Sequence, residues 1–87
     1  MAFVTLRYWA AAKEAAGIAE EAVSAGTLAE ALAMATDERS ERNARLRAIL
    51  VRSSFLVDGN PVGTRAPEAV VLSDGSVVEV LPPFAGG

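Results

Sequence analysis

The segment Val77-Val78-Glu79-Val80-Leu81-Pro82-Pro83-Phe84-Ala85-Gly86-Gly87 changes character at Pro82. Before it, Val78 and Val80 alternate with Val77 and Glu79, the period of a strand with one face in a core. At Pro82 and Pro83 φ is fixed and no amide hydrogen is offered, so strand pairing ends and the backbone is biased to an extended course. The two glycines carry no Cβ, which lets the backbone and reactive groups of another protein approach closely. A strand that delivers a slim tail, able to enter a narrow slot, is the expectation.

Working back along the chain, Ser73-Asp74-Gly75-Ser76 is a turn feeding that strand. Phe55 and Val57 alternate with Leu56, and Asp58-Gly59-Asn60-Pro61 supplies a turn before Val62, which predicts a hairpin. Thr27-Leu28-Ala29-Glu30 has the form of a capping box: the Thr27 hydroxyl accepts from the Glu30 amide, and the Glu30 carboxylate returns to the Thr27 amide. Leu28, Ala31, Leu32 and Ala35 then recur at helical spacing. A second helical stretch is predicted over residues 37–50, with Leu46, Ile49 and Leu50 apolar and Glu38/Arg42 and Glu41/Arg45 spaced as i,i+4 ion pairs.

The amino-terminal part reads as a strand over residues 3–9, with Val4, Leu6 and Tyr8 on the core face and Phe3, Thr5, Arg7 and Trp9 on the other. Residues 10–16, rich in alanine, predict a helical turn or a compact loop closed by Gly17. Residues 20–25 predict a weak strand. Strands with helices between them indicate an α+β domain, a mostly antiparallel sheet with its helices on one face.

At 87 residues there is room for one core and little for a deep private active site. The chain has no cysteine and no histidine, which removes thiol nucleophiles, disulfides, Cys/His metal sites and imidazole acid-base chemistry together. Neither catalytic nor metal-ligating residues are expected. A formal net charge of −3 argues against a general nucleic-acid binder. No basic region precedes the first apolar stretch, which Arg7 and Lys13 interrupt, so neither a secretory signal nor a membrane span is expected and the location is read as cytoplasmic.

Three other groupings carry less. Arg39, Arg42, Arg45, Arg47 and Arg52 make a basic stretch, but the interleaved Glu38 and Glu41 favour a solvated, salt-laced helix face. Glu20 and Glu21 adjoin on a strand and point to opposite faces, a poor arrangement for paired carboxylates. Tyr8 and Trp9 read as sheet packing rather than a nucleotide platform. Lys13 is the sole lysine, so the chain offers a single side-chain amine.

With these elements assembled, the sequence resembles the ubiquitin-like sulfur carriers of the β-grasp fold (the MoaD/ThiS superfamily), most closely the MoaD family of molybdopterin synthase small subunits. The resemblance is carried by residues 3–9 with Ala12-Lys13-Glu14-Ala15-Ala16-Gly17, by Val57-Asp58-Gly59 with Val62, by Leu72-Ser73-Asp74-Gly75, and above all by Leu81-Pro82-Pro83-Phe84-Ala85-Gly86-Gly87. Two positions depart from the family's pattern: Ser76 stands where an acidic residue is common, and Asp58 where Asn is frequent.

The resemblance implies a β-grasp domain over residues 1–81 and an extended tail over residues 82–87. It implies that Gly87 is the sulfur-carrying residue and that Leu81, Pro82, Pro83, Phe84, Ala85 and Gly86 fit the channels of partner proteins. A peptide α-carboxylate, with a reference pKa of about 3.3–3.7, is ionised and a poor electrophile at neutral pH, so it needs activation. By the resemblance, a ubiquitin-activating-like adenylyltransferase uses ATP with Mg to adenylate Gly87, and a sulfur donor system converts the acyl-adenylate to a thiocarboxylate. The tail then enters the large subunit of molybdopterin synthase, in a heterotetramer, and gives sulfur to a pterin precursor. The chain would bind no cofactor stably and would be no enzyme by itself. A related carrier for thiamine, cysteine or tRNA thiolation, a protein modifier, and a plain β-grasp interaction module are the alternatives.

Overall fold

A computed structural model describes residues 2–36 and 41–83, with the side chains of Glu41 and Arg42 excepted. The chain runs β1 (Ala2–Tyr8), α1 (Ala10–Ala16), β2 (Glu20–Ala25), α2 (Leu28–Ala35), α3 (Glu41–Leu50), β3 (Ser54–Val57), β4 (Asn60–Pro61), a 3-10 turn (Pro67–Ala69) and β5 (Val77–Leu81). The five strands form one sheet in the order β2-β1-β5-β3-β4. The β1–β5 pair is parallel and its neighbours pair antiparallel, giving the expected mixed, mostly antiparallel sheet.

Alternation decides which side chains enter the core. Val4, Leu6 and Tyr8 of β1 and Val78 and Val80 of β5 are buried, and the registers Leu6↔Val78 and Tyr8↔Val80 place them side by side. Leu28, Ala31 and Ala35 of α2 and Leu46 and Leu50 of α3 complete the core, with Leu32 and Ile49 half-buried against it. Six buried alanines (Ala12, Ala15, Ala16, Ala25, Ala31 and Ala35) let the helices lie close to the sheet and to one another. The 10–16 segment is a full helix ending at Gly17, whose φ of 78° places it in the left-handed region that glycine tolerates.

Two turns differ in detail from the sequence reading. The β3–β4 turn is the pair Asp58-Gly59, with φ of 51° and 83°, while Asn60 and Pro61 already belong to β4. Thr27 Oγ1 accepts from the Glu30 amide at 3.2 Å as expected. The Glu30 carboxylate, however, accepts from the Gly26 amide at 2.9 Å rather than from Thr27. One residue further out, it still satisfies a donor that the helix start leaves open. The expected pairs Glu38/Arg42 and Glu41/Arg45 lie outside the described residues.

The start of β5 is fastened on both sides. Towards β1, the Phe3 amide donates to Asp74 Oδ1 at 2.8 Å and the Gly75 amide to the Phe3 carbonyl at 2.8 Å. Towards the hairpin, Asp58 Oδ1 accepts from the Val77 amide at 2.8 Å, and Asp58 Oδ2 from the Ser76 hydroxyl at 3.2 Å. The two departures from the family's pattern are therefore partners, a carboxylate and the hydroxyl it binds. Asp58→Ala is expected to cost about 1–3 kcal/mol by urea unfolding, as hydrogen bonds to an ionised group are lost. Ser76→Ala in that background should then cost less than it does alone.

Candidate functional site: the root of the tail

β5 is an interior strand, flanked by β1 and β3, so the segment leaving it starts from the middle of the sheet rather than from a loose edge. At its end Val80 is fully buried and lies opposite Phe55, and Leu81 lies opposite Ser54. The Trp9 amide donates to the Val80 carbonyl at 3.3 Å, carrying the β1 side of the pairing to the last buried residue. Leu81 is half-buried, Pro82 buried and Pro83 exposed. The tail root is thus packed into the body through Pro82. The expectations for Phe84, Ala85, Gly86 and Gly87 lie outside the described residues.

Beside the root, the outer face of the sheet carries a row of polar contacts set by register. Arg7 stands opposite Glu20 on one side and Glu79 on the other. Its Nε lies 3.2 Å from Glu20 Oε2 and its Nη1 4.0 Å from Glu79 Oε1. Trp9 Nε1 donates to Glu79 Oε1 at 3.3 Å. Two carboxylates share one guanidinium here, so the row keeps a negative excess.

On the opposite face Tyr8 is buried and its hydroxyl donates to Glu21 Oε2 at 2.6 Å, so Glu20 and Glu21 part to opposite sides as their spacing requires. Trp9 departs from the packing role read for it: 46% of its surface remains exposed, and it lies outside the core beside the tail root. Ala10, next in the chain, has a φ of 48°, a conformation costly for a residue with a Cβ. It allows β1 to break sharply into α1 at the level where β5 ends. Nothing in an alanine run signals that strain. The Glu20–Arg7–Glu79 row was concealed for another reason, because it depends on which strands are neighbours. Among the described residues no three His, Cys, Asp or Glu side chains converge as a metal site, and no helix is long and apolar enough to cross a membrane.

A mixed five-stranded sheet covered by helices on one face, with the carboxyl-terminal strand at its centre, defines a ubiquitin-like β-grasp domain. Solved structures share the fold. Small archaeal modifier protein 1 from Methanosarcina acetivorans superposes with a TM-score of 0.83 at 24% identity, over 100% of this chain and 98% of that one. The HVO 2177 protein of Haloferax volcanii matches with a TM-score of 0.76 at 25% identity, over 99% and 87%. A chain of the complex of subunits 1 and 2 of molybdopterin-converting factor from Helicobacter pylori matches with a TM-score of 0.65 at 24% identity, over 98% and 99%. No curated protein matches the sequence. The ThiS family model matches residues 6–87, and the chain belongs to the ThiS family.

Trp9 is the only tryptophan, so its fluorescence reports on the tail root directly. Glu79→Ala is expected to move its emission to longer wavelength, as the indole loses an acceptor and gains water, while lowering stability by less than about 1 kcal/mol. Urea titration followed at Trp9 reads both; an unmoved spectrum would show that the indole does not rest on Glu79 in solution.

Proposed function

We propose that this chain is a sulfur-carrier protein that acts as the small subunit of molybdopterin synthase, with Gly87 as the residue that carries the sulfur. The observation that carries the reading is the match of the ThiS family model, which runs through to Gly87. The doubled proline at the root of the tail supports the molybdopterin branch within that family. The chain performs no catalysis by itself; its chemistry takes place in the active sites of its partners.

In this reading a ubiquitin-activating-like adenylyltransferase binds ATP with Mg, and a Gly87 carboxylate oxygen attacks the α-phosphorus with loss of pyrophosphate. The resulting acyl-adenylate has AMP as leaving group, and sulfur from a donor system displaces it to give the thiocarboxylate. The large synthase subunit then receives the tail, and the sulfur passes to a pterin precursor. Leu81 and Pro82 set the direction of departure from the sheet. Pro83, Phe84 and Ala85 span the channel, and Gly86 passes its narrowest point. The pairing of a small with a large subunit is supported by the Helicobacter pylori complex, where a chain of this fold takes part in an assembly of subunits 1 and 2.

Intact-protein mass spectrometry after co-expression with a candidate activating enzyme and a sulfur source tests the proposal. The expected product carries sulfur in place of one carboxylate oxygen on Gly87; an unmodified terminus, while a control carrier is charged, refutes it. Deleting Gly87 is expected to abolish charging and leave the melting temperature unchanged. Covalent adducts from Gly87 to lysines of other proteins would indicate a modifier, and sulfur transfer only to thiamine, cysteine or tRNA pathways a sister carrier.

The tail residues have separable roles. Gly86→Ala is expected to slow adenylation, because a Cβ meets the wall of a slot shaped for glycine. Phe84→Ala is expected to weaken the complex with the large subunit by about 1–3 kcal/mol, the scale of a lost aromatic anchor. Calorimetric titration of the two subunits measures the second effect.

A further inference from the structure

Arg65 follows β4 and is held by two backbone carbonyls: its Nε donates to the Val62 carbonyl at 3.1 Å and its Nη2 to the Pro61 carbonyl at 3.2 Å. Those hydrogens occupy one edge of the planar guanidinium. The other edge, made by Nη1 and the second Nη2 hydrogen, meets no acceptor among the described residues, and Arg65 forms no ion pair there. Neutral carbonyls fix the orientation of the group without cancelling its charge, and arginine does not shed its proton. The result is an aimed two-donor fork, the shape that a carboxylate accepts through both oxygens.

Arg65, itself exposed, lines a cleft of about 310 Å³ walled by Phe55, Leu56, Pro61 and Pro67 and lined also by Ser54. Ser54 pairs with Leu81 across β3 and β5, so the cleft opens one strand away from the root of the tail. On a chain of net charge −3, the free edge of the exposed Arg65, which has no ion pair among the described residues, is open to a negative group that arrives from outside. One arginine suits a single carboxylate better than a multiply charged phosphate. A lone exposed ion pair holds a free small acid only weakly, so that binding shows only at high concentrations of the acid, whereas a carboxylate on a surface already tethered through the tail arrives at high effective concentration.

We propose that the Arg65 cleft is a carboxylate-binding notch that takes an Asp or Glu side chain of the protein receiving the tail. The inference rests on the reading that a partner protein takes up this tail, and it adds a second, ionic point of attachment beside the root. Arg65 selects and orients the partner; it has no part in the transfer of sulfur.

Two measurements test it. In the isolated chain, sodium acetate titrated against sodium chloride at equal ionic strength should move the Arg65 Nε–Hε resonance and the Ser54 and Gly63 amides, and Arg65→Gln should abolish the response. An absent response, or one shared equally by the other arginines, overturns the notch. In the complex with the large synthase subunit encoded in the same genome, Arg65→Gln should raise the dissociation constant about tenfold. Arg65→Lys should fall between wild type and Arg65→Gln, and the exposed Arg52→Gln should leave affinity unchanged. Undiminished affinity of a folded Arg65→Gln chain overturns the inference while the wild-type complex upholds the proposed function. If the wild-type chain does not bind that subunit, the proposed function fails and the acetate titration alone decides the notch.

Discussion

The pairing of β1 with β5 is the contact on which the rest of the molecule depends. Among the described residues it is the only parallel pair, and it joins the first strand, β1, to the last, β5, at the centre of the sheet. Without it β2 would be separated from β3 and β4, and neither half would hold enough apolar surface to be stable alone. Its inner face supplies five buried side chains, Val4, Leu6, Tyr8, Val78 and Val80, each worth about 1.5–3 kcal/mol when fully removed from water if aliphatic. Helices α1, α2 and α3 cover that face, and the opposite face keeps the polar Glu20–Arg7–Glu79 row.

This pairing also determines what kind of site the domain presents. Most sites are concave and gather side chains; here the structure spends its order on fixing the point of departure of a segment. The Asp74–Gly75 turn clasps Phe3, and Asp58 clasps Ser76 and Val77, so β5 is aligned before it enters the sheet. At the far end Trp9 grips Val80 and Pro82 is buried. Both ends of β5 are thus held by contacts with neighbouring strands and turns, which fixes where Leu81 and Pro82 leave the sheet.

What could be read from the sequence follows from the range of the forces involved. The core faces of β1 and β5, the Thr27 cap, the left-handed Gly17 and the Asp58-Gly59 turn depend on residues within a few positions of one another, and periodicity and turn chemistry expose them. The choice of Gly26 over Thr27 by Glu30 is a matter of a single residue of reach, finer than a capping pattern resolves. The Asp58–Ser76 contact spans 18 residues, and the orientation of Arg65 depends on where the carbonyls of Pro61 and Val62 come to rest. Neither leaves a mark in composition. Of the candidate site, the strand and the prolines were legible locally, whereas the central place of β5 required the strand order.

Trp9 and Glu79 touch although 70 residues separate them in the chain. Contacts of such separation form late, because the entropy of closing the intervening loop must be met before they return any energy. During synthesis the first strands and helices therefore wait, with their apolar faces uncovered, until β5 has been made. Pro82 is buried, and Trp9 meets Val80 and Glu79, only in a chain that has completed its fold. Any protein that reads the tail together with its root, Trp9, Glu79 and Leu81 included, thereby distinguishes mature molecules from incomplete or misfolded ones without a separate proofreading step.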